Sequence, residues 1–228
     1  TGKHQNKAST IYEPAIWKIH SAGIQINASF VVGFDNDTLR EFDNIFDFTM
    51  RTCMPNVNLH LLSAPPGTVT YEKLKSEGRL SDCPPEMGVG HLPTIHYMNM
   101  SQGELLEGYM KTVGRLYSYE TIRKKAECMF TSGDFSRRGG DIPAILKARL
   151  TAVVVKEYLL TLDRDKHKLF FFIVSMIRSN RLAIDRGMAY LLAMLGYHRH
   201  IEGHKRRMKE YREMVRKYDK GAWKSINN

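Results

Sequence analysis

The sequence predicts an α/β region followed by an all-α region. Three observations predict it. Between Lys7 and Gly78, segments with helical spacing alternate with segments of strand character. One of those strands turns continuously apolar at Phe30–Val32, the pattern of a parallel strand buried on both faces at one end. From Ser101 onward apolar residues recur three and four apart and no strand pattern returns.

Lys7–Ala22 reads as a helix because Ile11, Ala15, Ile16 and Ile19 share one side, with Pro14 in its first turns and Gly23 as the stop. Ile24–Gly33 is the first strand. Asp37 has the residue type of an N-cap for a helix from Thr38 to Cys53, with Leu39, Phe42, Ile45, Phe46 and Thr49 on its apolar side. Val57–Leu62 is the second strand. The Ala64-Pro65-Pro66-Gly67 turn follows, and Thr68 caps a short helix over Val69–Ser76 that ends at Gly78. Strands joined by helical crossovers pair in parallel.

Ser81–Met100 is rich in Pro and Gly and marks the expected boundary, giving domains 1–97 and 98–228. Ser101 caps a helix over Gln102–Leu116, and Ser118 caps another to Phe130. Thr131–Gly140 reads as a loop. Asp141 with Pro143 opens a helix through Leu162, and helices are expected over Lys166–Ser179, Arg181–Tyr197 and Glu202–Lys217. No repeat at a fixed period is visible.

The chain has 228 residues, and its 43% hydrophobic content is enough to bury a core. It starts at Thr1 and reads as an internal piece of something longer, with no signal peptide at that end. The most apolar run, Leu169–Ile177, is about half of the ~20 residues a membrane-spanning helix needs, so a soluble, cytoplasmic protein is expected. Cys53, Cys83 and Cys128 are odd in number and far apart, without zinc or redox spacing, and read as unpaired thiols of a reducing compartment. The net charge is +10, and His198–Lys224 carries ten Lys and Arg against four Asp and Glu.

Gly23-Ile24, then Ser29-Phe30-Val31-Val32-Gly33-Phe34-Asp35, then Leu61-Leu62, Pro66-Gly67-Thr68 and Gly78-Arg79-Leu80 resemble in order and spacing the fifth and sixth strands of radical S-adenosylmethionine barrels. The match is strongest to the class with an N-terminal cobalamin-binding domain. Lys3-His4-Gln5-Asn6 resembles the segment after that family's fourth strand. Met98-Asn99-Met100-Ser101, Gly108-Tyr109 and Leu116-Tyr117-Ser118 resemble its helical C-terminal extension. The resemblance covers Lys3 to Phe130 and thins beyond Asp141.

The resemblance implies the last strands of a partial TIM-like barrel followed by helices. It also implies S-adenosylmethionine, a [4Fe–4S] cluster and cobalamin for the full-length family, and methyltransferase-like activity. Carried over residue by residue, Val31, Gly33 and Phe34 contact the adenine, and the strand end from Leu62 through Pro66 to Gly67 flanks the same pocket. Glycine at 33 admits close approach of a flat ring. The three clustered cysteines of the family are absent from this chain, so no cluster and no radical chemistry are expected of it alone. Its implied partners are the missing N-terminal barrel and cobalamin domain, with a small-molecule or lipid-like substrate.

Other constellations read more simply. His198, His200 and His204 have ligand-like spacing, but Arg199, Lys205, Arg206 and Arg207 surround them, which favours a solvated basic tail. The tail helix over Lys205–Lys217 is amphipathic through Met208, Tyr211, Met214 and Val215. Nucleic acid or an anionic membrane is the alternative role for it, and docking of that stripe on the body is favoured. Asp35, Glu41 and Asp43 read as a solvated helix face. His60 reads equally as a packed or a pocket histidine.

Overall fold

The computed structural model describes residues 11–82, 92–137 and 143–222. Lys3–Asn6, Cys83, Asp141 and the first turn of the first expected helix lie outside them. The fold is mostly helical, with one small two-stranded parallel sheet. The chain divides into two compact units that interleave along the sequence. The first contains residues 1–28, 49–56 and 116–200, and the second residues 29–48, 57–115 and 201–228.

The first unit is helical. Helix α1 (Glu13–Ser21) has Pro14 in its first turn and is followed by Gly23 at φ +75°, as the sequence predicts. Glycine is required there twice over, since a Cβ would also meet the Asp134 carbonyl oxygen. His20 is fully buried between the carbonyl oxygens of Ile24 and Thr52, each 3.1 Å from a ring nitrogen.

The spine of this unit is α5 (Tyr119–Ser132). Ser118 caps it, its hydroxyl accepting from Thr121 N–H at 3.3 Å. Ile122, Ala126, Met129 and Phe130 repeat three and four apart and fill the core with Leu169 and Ile173. Those two lie on α7 (Arg164–Arg178), capped by Asp163. Phe130 meets Phe135 and Tyr190 edge to face, with centroids 5.1 Å apart in each case. Helix α6 (Ala144–Leu159) contributes Tyr158, whose hydroxyl donates to Leu191 O at 2.7 Å.

The longest helix, α8 (Ile184–Arg206), continues through His198–Arg206, where the sequence suggests a break. The expected tail helix is therefore shorter, α9 (Met208–Arg216).

Two features of the first unit depart from the sequence reading. Cys53 and Cys128 form a disulfide, with Cα atoms 5.9 Å apart. The expectation of unpaired thiols fails for these two because folding brings the turn after α2 (Arg40–Arg51) against α5. One turn before Cys128, Lys125 is fully buried, its Nζ 3.4 Å from Pro55 O and 5.5 Å from the Tyr117 ring centroid. Burial lowers its pKa from 10.5 to about 7.

The second unit holds strands β1 (Asn27–Val32) and β2 (Asn56–Leu61), apart from their first residues, together with most of α2. Leu62 N–H donates to Val32 O at 2.8 Å. In a parallel ladder that bond sets Val32 beside Leu61 and Val31 beside His60. One face, with Val32, Leu59 and Leu61, is buried. The other, with Ser29, Val31, Asn58 and His60, is exposed or half-buried. No further strand pairs with either edge among the described residues. Phe48 of α2 meets Phe30 edge to face at 6.2 Å.

Helix α3 (Val69–Ser76) is capped by Thr68 as predicted. Helix α4 (Gln102–Leu116) opens on a reciprocal capping box. Ser101 N–H donates to Glu104 Oε2 at 2.9 Å, and Glu104 N–H donates to Ser101 Oγ at 3.1 Å. The Asp219 carboxylate takes the N–H groups of Gln102 and Gly103 at 3.2 and 2.8 Å. Tyr211 and Val215 of α9 are buried, so its apolar stripe docks within the unit.

Two measurements follow. A lysine whose pKa is depressed on folding costs stability at every pH below its folded value. The cost is relieved as pH rises toward the unfolded value, because the unfolded chain then binds the extra proton. Lys125 therefore makes the protein more stable as pH climbs from about 7 toward 10.5, by on the order of 5 kcal/mol in full. Denaturant titrations of Lys125→Met should show higher stability at neutral pH and a flattened rise. Thiol titration of the unfolded chain should find two more cysteines after reduction than before. Cys128→Ser should cost about 4 kcal/mol, given the 75-residue separation the bond closes.

Candidate functional site

The carboxyl ends of β1 and β2 are the place where a parallel α/β sheet presents ligands. They lie in the second unit, and the residues there form a fixed arrangement. Gly33 has φ +120°, a conformation L side chains rarely adopt. A Cβ on it would lie 2.6 Å from Tyr97 Cε1 and 3.2 Å from Leu62 Cβ. Tyr97 is fully buried, and its hydroxyl donates to Leu62 O at 2.9 Å. The flat ring that glycine admits at this position is thus the protein's own.

Asp37 does not cap α2, which starts at Arg40. Its Oδ2 reaches back and accepts from Gly33 N–H at 2.9 Å and Phe34 N–H at 3.0 Å. Asp37 N–H donates to Phe34 O at 2.9 Å, closing a turn over residues 34–37. Asn99 Nδ2 then donates to the carbonyl oxygens of Asp35 and Asp37 at 2.9 and 3.0 Å. The expectation of an N-cap fails because an aspartate accepts equally well from backbone N–H groups before it in sequence.

Asp35 sits in that turn and not on a helix face. Its carboxylate meets Arg79 at 2.8 Å and Lys73 at 3.3 Å. Partial burial works to raise its pKa, but Arg79 and Lys73 outweigh that and hold it below the ordinary carboxylate value. Arg79 is almost fully buried, donates from Nε to His96 O at 3.0 Å and pairs with Glu77. Its Nη2 is buried without a hydrogen-bond partner among the described residues.

Of the residues marked from the sequence, Gly33 and Leu62 are brought together against Tyr97. Val31 and Phe34 remain 42% and 52% exposed, forming an apolar ledge beside them. Pro66 and Gly67 are exposed in the turn that Thr68 closes, its hydroxyl donating to Pro65 O at 2.8 Å. His60 is exposed on the open sheet face beside Val31. Sequence reasoning gave no role to Tyr97, Asn99 or Arg79, although Asn99 and Arg79 lie in the runs that carry the resemblance.

The histidines of the tail bond within the protein. His198 Nδ1 is 2.8 Å from Tyr117 O, and His204 Nδ1 is 3.0 Å from the Tyr211 hydroxyl. Among the described residues no group of three His, Cys, Asp or Glu side chains could hold a metal ion.

No protein-family model and no solved structure matches the chain. Curated proteins do. Over 132 residues the chain is 29% identical to the bacteriochlorophyllide d C-12(1)-methyltransferase of Chlorobaculum tepidum, covering 55% of this chain and 28% of that protein. Over 82 residues it is 34% identical to an uncharacterized methyltransferase of Synechocystis, covering 36% of this chain and 15% of the other. The chain thus spans less than a third of either relative, and its homology is to methyltransferases at low identity.

Gly33→Ala meets both a left-handed backbone and the Tyr97 ring, and should destabilise the protein by about 2–4 kcal/mol. Tyr97→Phe removes only the hydroxyl contact and should cost about 1 kcal/mol. Chemical denaturation of both variants reads the difference.

Proposed function

We propose that this chain is the C-terminal part of a cobalamin-type radical S-adenosylmethionine methyltransferase. On this reading β1 and β2 are the last strands of a TIM-like barrel, and residues 98–228 form its helical extension. The supporting observation is the open face of the strand pair. Ser29, Val31, Asn58 and His60 face away from the packed side, and both strand edges carry no further strand among the described residues. A parallel sheet left so is unfinished, and closure into a barrel would turn this face inward and remove the edges. The relatives' names support methyl transfer as the activity.

Val31 and Phe34 then offer the methyl donor's adenine an apolar wall at the end of β1. Tyr97 fills the near side of Gly33, so the ring stacks toward Phe34 and does not lie on the glycine. Leu62, Pro66 and Gly67 form the opposite rim. Asp37 and Asn99 position the 34–37 turn, and Arg79 with Lys73 sets the charge beside it.

Among the described residues, no set of side chains fits an iron–sulfur cluster. Cys53 and Cys128 are bonded to each other, and the described residues hold no metal-binding group. On the proposed reading the cluster and the cobalamin belong to the preceding barrel strands and their own domain.

Photo-crosslinking of labelled S-adenosylmethionine to the full-length protein, with peptide mapping, tests the reading. Label should fall on the peptide containing Val31–Phe34. Phe34→Ala should raise the KM for S-adenosylmethionine about tenfold while kcat changes less. Label confined to other peptides, or a KM indifferent to Phe34, would overturn it.

A further inference from the structure

Helix α6 differs from its neighbours in how little of it is covered. Among its described side chains only Val154 and Tyr158 are buried. At 3.6 residues per turn, Ile145, Arg149, Ala152 and Lys156 lie opposite those two, with Leu146 and Val153 beside them. Ile145 is 74% exposed, and the loop after the helix presents Leu160 at 78% and Leu162 at 100%. Isolated exposed leucines are ordinary, but several on one helix and the loop that ends it are not.

The charges around this surface are unbalanced. Every acidic residue from 144 to 168 is engaged. Glu157 pairs with Arg199 at 2.6 Å, Asp163 caps α7, and Asp165 pairs with Arg123 at 3.1 Å. Lys147, Arg149, Lys156 and Arg164 have no carboxylate partner among the described residues. The surface therefore offers exposed aliphatic side chains interleaved with uncompensated cations. An interface between proteins gathers its apolar residues into a core with a polar rim. Interleaving of leucine with Lys and Arg suits a layer whose phosphates lie directly above hydrocarbon.

We propose that α6 and the loop at 160–162 lie on an anionic lipid bilayer. Leu160 and Leu162 enter the acyl region, and Arg149 and Lys156 meet the headgroup phosphates. The contact is interfacial, since no described helix is long and apolar enough to cross a membrane. It is separate from α9, whose Tyr211 and Val215 are buried within the second unit.

Co-sedimentation of the full chain with vesicles tests the proposal. Binding is expected to vesicles of equal phosphatidylcholine and phosphatidylglycerol, with little to phosphatidylcholine alone, and raised salt should weaken it. The double variant Leu160→Ser, Leu162→Ser should lose at least about tenfold in affinity. Arg149→Gln and Lys156→Gln should each lose about fivefold. These positions are exposed, so circular dichroism should be unchanged. The proposal fails if the anionic vesicles leave the chain in the supernatant, or if the leucine variant binds undiminished. It fails equally if these substitutions instead abolish self-association or association with an acidic protein in the absence of lipid.

Discussion

Gly33 has no side chain, and the ring of Tyr97 occupies the space one would need. Much of the second unit follows from that contact. The Tyr97 hydroxyl fixes the Leu62 carbonyl, and the Asp37 carboxylate holds the N–H groups of residues 33 and 34. Asn99 then ties the two turn carbonyls. One buried ring and two polar side chains thereby fix the ends of both strands. With the inner space filled, the apolar side chains that remain available to a ligand at the end of β1 are those of Val31 and Phe34. Pre-organised geometry of this kind spares a ligand the entropy of ordering its own site.

The helices were largely legible because their signals are local. Thr68, Ser101 and Ser118 cap where capping chemistry places them, and Gly23 ends α1 at positive φ. Asp37 was misread for a physical reason. The carboxylate that caps a helix ahead of it can equally take N–H groups behind it, and the residue type does not distinguish the two. Tyr97 stood in a Pro- and Gly-rich stretch that looks like loop, so nothing announced a buried ring. Cys53 and Cys128 are 75 residues apart, and a pair made only by folding leaves no spacing to read. The sequence reading ended one helix at Tyr197 and opened the next at Glu202, yet α8 runs through Gly196 and Gly203, with Ile201 buried between them.

The strand pair shows where pattern reading stops. Periodicity identified two strands, and the crossover between them set them parallel. It said nothing of how many neighbours they have. Their exposed face carries Ser29 and Asn58 where a finished parallel sheet would carry aliphatic residues covered by helices. Polar residues on such a face suit the interior of a closed barrel near its mouth, where side chains meet ligand and water.

The bond between Cys53 and Cys128 bears on how the protein is handled. Purified proteins are commonly kept in reducing buffer to protect their thiols. Thiol reagents added for that purpose attack sulfur–sulfur bonds through thiolate exchange. Cys53 is almost wholly shielded from solvent while Cys128 is half-buried, so attack at the Cys53 sulfur must await local opening of the turn that carries it. Preparations kept for different times in the same buffer would then be mixtures of linked and unlinked molecules. Stability measured on them would drift with the age of the sample.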